Sequence, residues 1–371
     1  DKEMEFYKKG IELLEENHVN NEVLADLYNN LAEELRNHKE LEKFGKNPQH
    51  YYEKGIKILE GLYDSNSSKY AEALGDVYNN ICVYYIDYND YYQGLQYLKK
   101  CEKVYSTLYC NNPRRGGQGL AECYIQMSNV YESLGNKKRA VEAAEKGIAI
   151  FEYLFSINQN RYAIKLSWAY SETGLLYALY DDFESCGNNM EKSLNILECT
   201  ENAYIKSKQV SIIDKIIFAM DLVLQRENLM QEYLFPLAHR VFKFAYECMK
   251  ENSAEEYPEL IAVLYEMGQD LMYYFEKKDL VFAKEYYYPA MLDLGKSRLK
   301  GNDLTPKERM EINFILSVIT GLLGNTETSA NFFNESVEAF LVTDDFKSKY
   351  SKTNINRKKR KKKRGFVKFF V

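Results

Sequence analysis

The sequence predicts an all-α, right-handed superhelical solenoid of about seven and a half helix hairpins. Three observations carry that prediction. The pattern Tyr-x-x-ϕ-small-x-x-ϕ, with ϕ apolar, recurs seven times at a period near 46 residues. A second row of small residues follows each copy. Both rows keep spacings of three, four and seven, which place their members on one face of a helix. Repeats of about 20–50 residues mean stacked units, because one hairpin cannot bury its apolar face alone.

The first helix of each hairpin carries the Tyr pattern. Four copies are strong: Tyr28–Leu31–Ala32–Leu35, Tyr78–Ile81–Cys82–Tyr85, Tyr124–Met127–Ser128–Tyr131 and Tyr170–Thr173–Gly174–Tyr177. Three are weaker: Lys215–Phe218–Ala219–Leu222, Leu264–Met267–Gly268–Leu271 and Asn313–Leu316–Ser317–Thr320. The second helix carries Gly55, Cys101, Gly147, Ser193, Ala245, Ala290 and Ser336, and Gly10 plays the same part in an N-terminal half-repeat. A bulky residue usually lies three positions earlier, as at Tyr52, Leu98, Met190, Phe242, Tyr287 and Phe333. Small side chains let two helix backbones approach, and the large neighbour fills the space beside them. About fifteen helices and almost no strand follow.

This unit resembles the tetratricopeptide repeat, TPR. The copy most like it is Tyr124–Tyr131, followed by Gly135, Ala140, Ala144 and Gly147. The resemblance covers residues 4 to 343, but the usual TPR period is about 34. The longer unit is similar to the repeats of kinesin light chains and of bacterial TPR regulators that sense peptides. The family's closing Pro is mostly missing; Pro289 sits inside a second helix, where a kink is expected.

Composition divides the chain into residues 1–345, the TPR-like solenoid, and 346–371, a basic tail expected to be disordered. The net charge is −6, yet residues 346–371 hold 12 Lys/Arg and no Asp or Glu. The remaining 345 residues carry 37 Lys/Arg against 55 Asp/Glu, a net of −18. Seven cysteines without a C-x-x-C pair suit a reducing compartment and a cytoplasmic location. No apolar run reaches membrane-spanning length. The chain opens on Asp1 rather than Met, so an effector domain ahead of it is an open expectation.

Nothing in the sequence reads as catalysis, and no enzyme is expected. The four histidines, His18, His38, His50 and His239, show no i, i+4 pair, so neither a metal nor a cofactor is expected. Neither nucleotide-loop pattern, G-x-x-x-x-G-K-[ST] or G-x-G-x-x-G, is present. The run Asn112 to Gly119 contains two Arg and three Gly and has the chemistry to hold a phosphate, although a connector between units is the plainer reading.

The family resemblance implies that the stripe two residues ahead of each Tyr pattern lines a concave groove. Those positions are amide-rich and acidic early on: Asn30, Asn80, Gln126 and Asn129, with Asp26, Glu33, Asp76, Asp87 and Glu122. Amides pair with the backbone of an extended peptide, donating and accepting together. Later positions are Glu172 with Trp168, then Ile213, Ile217 and Met220, which read either as an apolar anchor pocket or as a helix buried on all sides. The acidic neighbours favour a basic partner. The expected function is therefore a non-catalytic protein- or peptide-binding scaffold or adaptor. The alternatives are a ligand-sensing regulatory domain of a larger bacterial regulator, and an adaptor tethered to membrane or nucleic acid by its tail. The tail's charge also suits its own acidic groove.

Overall fold

The computed structural model describes residues 2–38, 47–200, 203–224, 234–251, 258–301 and 304–341. The basic tail lies outside the described residues. Among them the regular structure is helical throughout, with no strand, and the protein is an all-α solenoid.

First helices are α2 (Glu22–Asn37), α4 (Ser67–Asp87), α6 (Pro113–Ser133), α8 (Gln159–Leu179), α10 (Ala203–Leu224), α12 (Pro258–Lys278) and α15 (Pro306–Leu322). Second helices are α1 (Lys2–Glu16), α3 (Pro48–Ser65), α5 (Tyr91–Asn111), α7 (Lys137–Ile157), α9 (Phe183–Glu198), α11 (Leu234–Glu251) and α16 (Thr326–Leu341). One more is interrupted: α13 (Leu280–Phe282), a π-turn (Ala283–Tyr287) and α14 (Tyr288–Leu299) run as a single second helix. The disturbance expected at Pro289 takes this form. Proline offers no N–H, and the wider turn ahead of it, in which the Tyr288 N–H donates to the Ala283 carbonyl, absorbs the misfit.

Helix ends follow from side chains. Asn21, Asn47, Asn66, Asp90, Asn112, Asn136, Asn158 and Asp182 each accept a backbone N–H of the helix they precede. Inside three successive hairpins the turn needs a left-handed residue, supplied by Asn89, Gly135 and Asp181 at φ of 59°, 70° and 62°.

The chain packs as two compact units, residues 1–219 and 220–371, the division falling within α10. In the first unit each helix from α1 to α8 packs on the next. First helices also touch the next first helix, α2 with α4, α4 with α6 and α6 with α8. That closer approach makes the first helices the inner side of the unit's curve. All seven small residues of the second helices are buried, and Gly10 is half-buried. In the second unit α11 packs on α12, α12 on α14, and α14 on α15, which pairs with α16. His239 is enclosed there by Phe275, Phe282, Tyr286 and Tyr287 and lies 2.6 Å from the Tyr287 hydroxyl through Nδ1. Loss of water lowers its pKa, with Lys243 adding to the effect.

Four of the cysteines, Cys82, Cys101, Cys123 and Cys186, are buried free thiols, and Cys110 and Cys199 are exposed ones. No helix among the described residues is long and apolar enough to cross a membrane.

Candidate binding groove

A repeated triad fixes the first helices to their neighbours. Three of the four strong-pattern Tyr donate the hydroxyl to an acid on the preceding second helix: Tyr28 to Glu15, Tyr78 to Glu60 at 2.5 Å, and Tyr170 to Glu152. A Lys from the following second helix lies over each ring, at 5.1 Å for Lys54 on Tyr28 and 5.3 Å for Lys100 on Tyr78. Lys146 on Tyr124 and Lys192 on Tyr170 repeat the arrangement at 5.3 and 5.1 Å. These four lysines stand 46 residues apart, each one position before a small residue of the crossing row. The triad orients the first helices so that the stripe on their far side turns inward.

Along that inner stripe, charges join one first helix to the next. Lys69 of α4 lies 3.7 Å from Glu22 of α2, and Lys165 of α8 lies 2.6 Å from Glu122 of α6. Arg115 of α6 binds Glu72 of α4, and Lys215 of α10 binds Glu172 of α8. Arg36 reaches Asp87 at 3.1 Å and Glu33 at 4.0 Å. Each exposed pair contributes little, about 0–1 kcal/mol. Through them most carboxylates of the stripe already hold an internal cation.

Asp26 and Asp76 are the exceptions, with no cation on either. Asp76 accepts from the Tyr105 hydroxyl, which also donates to the Glu72 carbonyl at 3.2 Å. The Tyr105 ring passes between Gly75 and Gly119, where any side chain would collide with it. Desolvation pushes the Asp76 carboxyl up to about 6; the Tyr105 hydrogen bond opposes this, and Glu122, Glu72 and Asp26 reinforce it. The Asp76 side chain is itself exposed, on a wall crowded by like charge from Glu122, Glu72 and Asp26. Desolvation and then Glu22 raise the Asp26 carboxyl in the same way.

The amides lie between these charges. Asn30, Asn80, Gln126 and Asn129 are all half-buried on α2, α4 and α6. Asn80 donates to the Asn29 side chain at 3.1 Å. The side chains of Asn30, Gln126 and Asn129 have no hydrogen-bond partner among the described residues. Glu172 is buried and held by Trp168 Nε1 at 2.7 Å as well as by Lys215, so it buttresses the groove wall.

Two sequence readings need correction. Ile213, Ile217 and Met220 are fully buried and present no open surface; Met220 falls in the second unit. The reason is register. Burial of Ile212, Ile216, Ala219 and Val223 beside them leaves Ser211, Lys215 and Phe218 as the outward stripe of α10. Lys215 binds the inner-stripe Glu172, so this stripe faces the groove, and Phe218, three residues on, is 46% exposed on the same side. The repeat pattern places Phe218 at the position of the buried Ile81 and Met127, and a rotation of α10 carries it outward instead.

The second correction concerns Asn112 to Gly119. It is the N-cap and first two turns of α6, not a connector. Arg115 is fully engaged, donating to the Ser68 and Lys69 carbonyls at 2.7 and 3.2 Å as well as to Glu72. Gly116 lies against the backbone of Tyr109, and Gly117 against Leu154. The glycines serve close packing rather than an anion. Among the described residues no cluster of three or more His, Cys, Asp or Glu has an arrangement that could hold a metal.

Fold and groove together define a helical-repeat solenoid with a polar inner wall. No family model matches the chain, and no curated protein matches it in sequence. Among solved structures it is similar to the nuclear import adaptor Nro1, a hypoxic regulator of sterol synthesis, at a TM-score of 0.50 and 12% identity over 80% of this chain and 97% of that one. The S. pombe Nro1 in space group P21 gives 0.50 at 11% identity over 75% and 97%. At these identities the likeness bears on the helical-repeat fold alone.

Proposed function

We propose that the chain is a non-catalytic adaptor of TPR type, and that the inner wall of α2, α4 and α6 holds an extended peptide. The row of partnerless, half-buried amides carries this reading. Half-buried amides with no protein partner keep both donor and acceptor free for a ligand's backbone, which replaces the water that now meets them. Asn30 on α2, Asn80 on α4, and Gln126 and Asn129 on α6 stand on successive first helices, as a strand-like ligand running across them requires, and Asn80 keeps acceptor capacity although it donates to Asn29. The existing ion pairs of Glu33, Asp87, Glu122 and Glu172 favour a neutral segment over the basic one that composition suggested. Leu179 and Phe218, both exposed, supply the apolar anchor that Ile213 and Ile217 do not.

The test is capture of partners with the intact chain, followed by titration of the identified peptide. Replacing Asn30, Asn80 and Asn129 together by Ala should lower affinity at least tenfold, from three hydrogen bonds of about 1 kcal/mol each. The melting temperature should fall only slightly, because Asn30 and Asn129 have no protein partner to lose and Asn80 loses one part-buried bond, to Asn29, of about 1 kcal/mol. Unaltered affinity in this triple variant excludes the inner wall as the binding site.

A further inference from the structure

On four of the second helices, three apolar residues at i, i+4 and i+7 are buried against neighbouring helices, as Tyr52 is against Tyr84 of α4, Met190 against Gly174 of α8, and Phe242 and Met291 against Gly268 of α12. They are Tyr52, Ile56 and Leu59 on α3, Met190, Leu194 and Leu197 on α9, Phe242, Tyr246 and Met249 on α11, and Tyr287, Met291 and Leu294 along the helix that ends as α14. All twelve are buried. The first two matching residues on α16 are Phe333 and Val337, and each is 39% exposed. Their face has the composition of a repeat interface and no described helix over it. Three acids, Glu327, Glu335 and Glu338, are exposed on the same helix, which carries no Lys or Arg.

We propose that the chain's own residues 365–371, Gly-Phe-Val-Lys-Phe-Phe-Val, cover this face of α16. The segment offers three Phe and two Val to an apolar stripe, and the cations before it suit the three glutamates. Reach is sufficient. The 24 residues between Leu341 and Phe366 can bridge at most about 80 Å, well above the roughly 24 Å length of α16. A second copy of α16 is the poorer occupant, since it would oppose acid to acid across the same stripe. A tether also raises the local concentration of the segment, so modest contacts suffice.

Hydrogen exchange on the full chain tests this. Amides of residues 329–341 should exchange about tenfold more slowly in the parent than in a variant carrying Phe366→Ser, Phe369→Ser and Phe370→Ser. Val337→Lys, at an exposed position, should give the same loss by repelling the tail. A synthetic peptide of residues 365–371 should restore protection to the triple-Ser variant but not to Val337→Lys. The triple variant leaves every described helix intact, so misfolding of α16 does not confuse its result. Equal exchange in parent and triple variant overturns the proposal. So does a parent that sediments as a dimer and becomes monomeric with Val337→Lys but not with the triple variant, which would assign the face to a second copy.

Discussion

Glycine means different things at different places along this chain. At Gly116 an added Cβ would sit 2.5 Å from the Tyr109 backbone nitrogen, and backbone cannot move aside cheaply. At Gly61, exposed within α3, an added Cβ meets nothing within 4 Å. Gly116→Ala should therefore destabilise by about 1–3 kcal/mol through overpacking. Gly61→Ala should stabilise by about 0.5–1 kcal/mol, because alanine loses less backbone entropy in a helix. Urea melts of the two variants check this, and equal midpoints would mean that the α5–α6 junction is looser than the geometry requires. The same pair explains a misreading. A cluster of glycines ordinarily marks a loop, and composition alone cannot distinguish that from a helix start packed against Tyr105 and Tyr109.

At the scale of elements, the α4–α5–α6 sandwich around Tyr105 makes a pH-dependent contribution. Asp76 has a folded-state pKa of about 6, above its ordinary 3.8, mainly through desolvation. A carboxyl raised on folding stabilises most when protonated, below its unfolded value. That contribution is lost as pH climbs through the folded value, across about pH 4 to 6. Discounted for solvent contact, it is worth about 1 kcal/mol. The parent should thus gain stability relative to Asp76→Asn as pH falls from 7 to 4. The stability difference between the two proteins, measured by thermal melts across that range, isolates this group from His239. A constant difference would show that Asp76 is ordinarily hydrated.

Element positions were largely legible in sequence, because the small residues from Gly10 to Ser336 mark every second helix. The inner-stripe charge pairs were not. Glu22 and Glu72 precede their pattern Tyr by six residues, Glu122 by two, while Glu172 follows its Tyr by two. The row therefore drifts across a frame drawn on Tyr. The drift is what carries Lys215 and Phe218 to the groove and turns Ile213 and Ile217 inward.

For the whole molecule, the decisive property is that packing is local in sequence. Each hairpin of the first unit rests on its neighbours, so stability should behave as a sum of unit terms and adjacent-interface terms. Gly147 tests this. It lies where α7 crosses α6, and an added Cβ would come within 2.8 Å of Ile125 Cδ1 and 3.0 Å of the Ala121 carbonyl. Gly147→Leu should cost about 1–3 kcal/mol or more. The cost should appear first in the elements that meet at the crossing. Amides of α6, α7 and α8 should lose protection, those of α2 less so, and those of α12 and α14 in the second unit not at all. Hydrogen exchange read helix by helix distinguishes this from all-or-none opening. A uniform loss of protection across both units would show cooperativity beyond nearest neighbours, and stability could then no longer be assigned hairpin by hairpin.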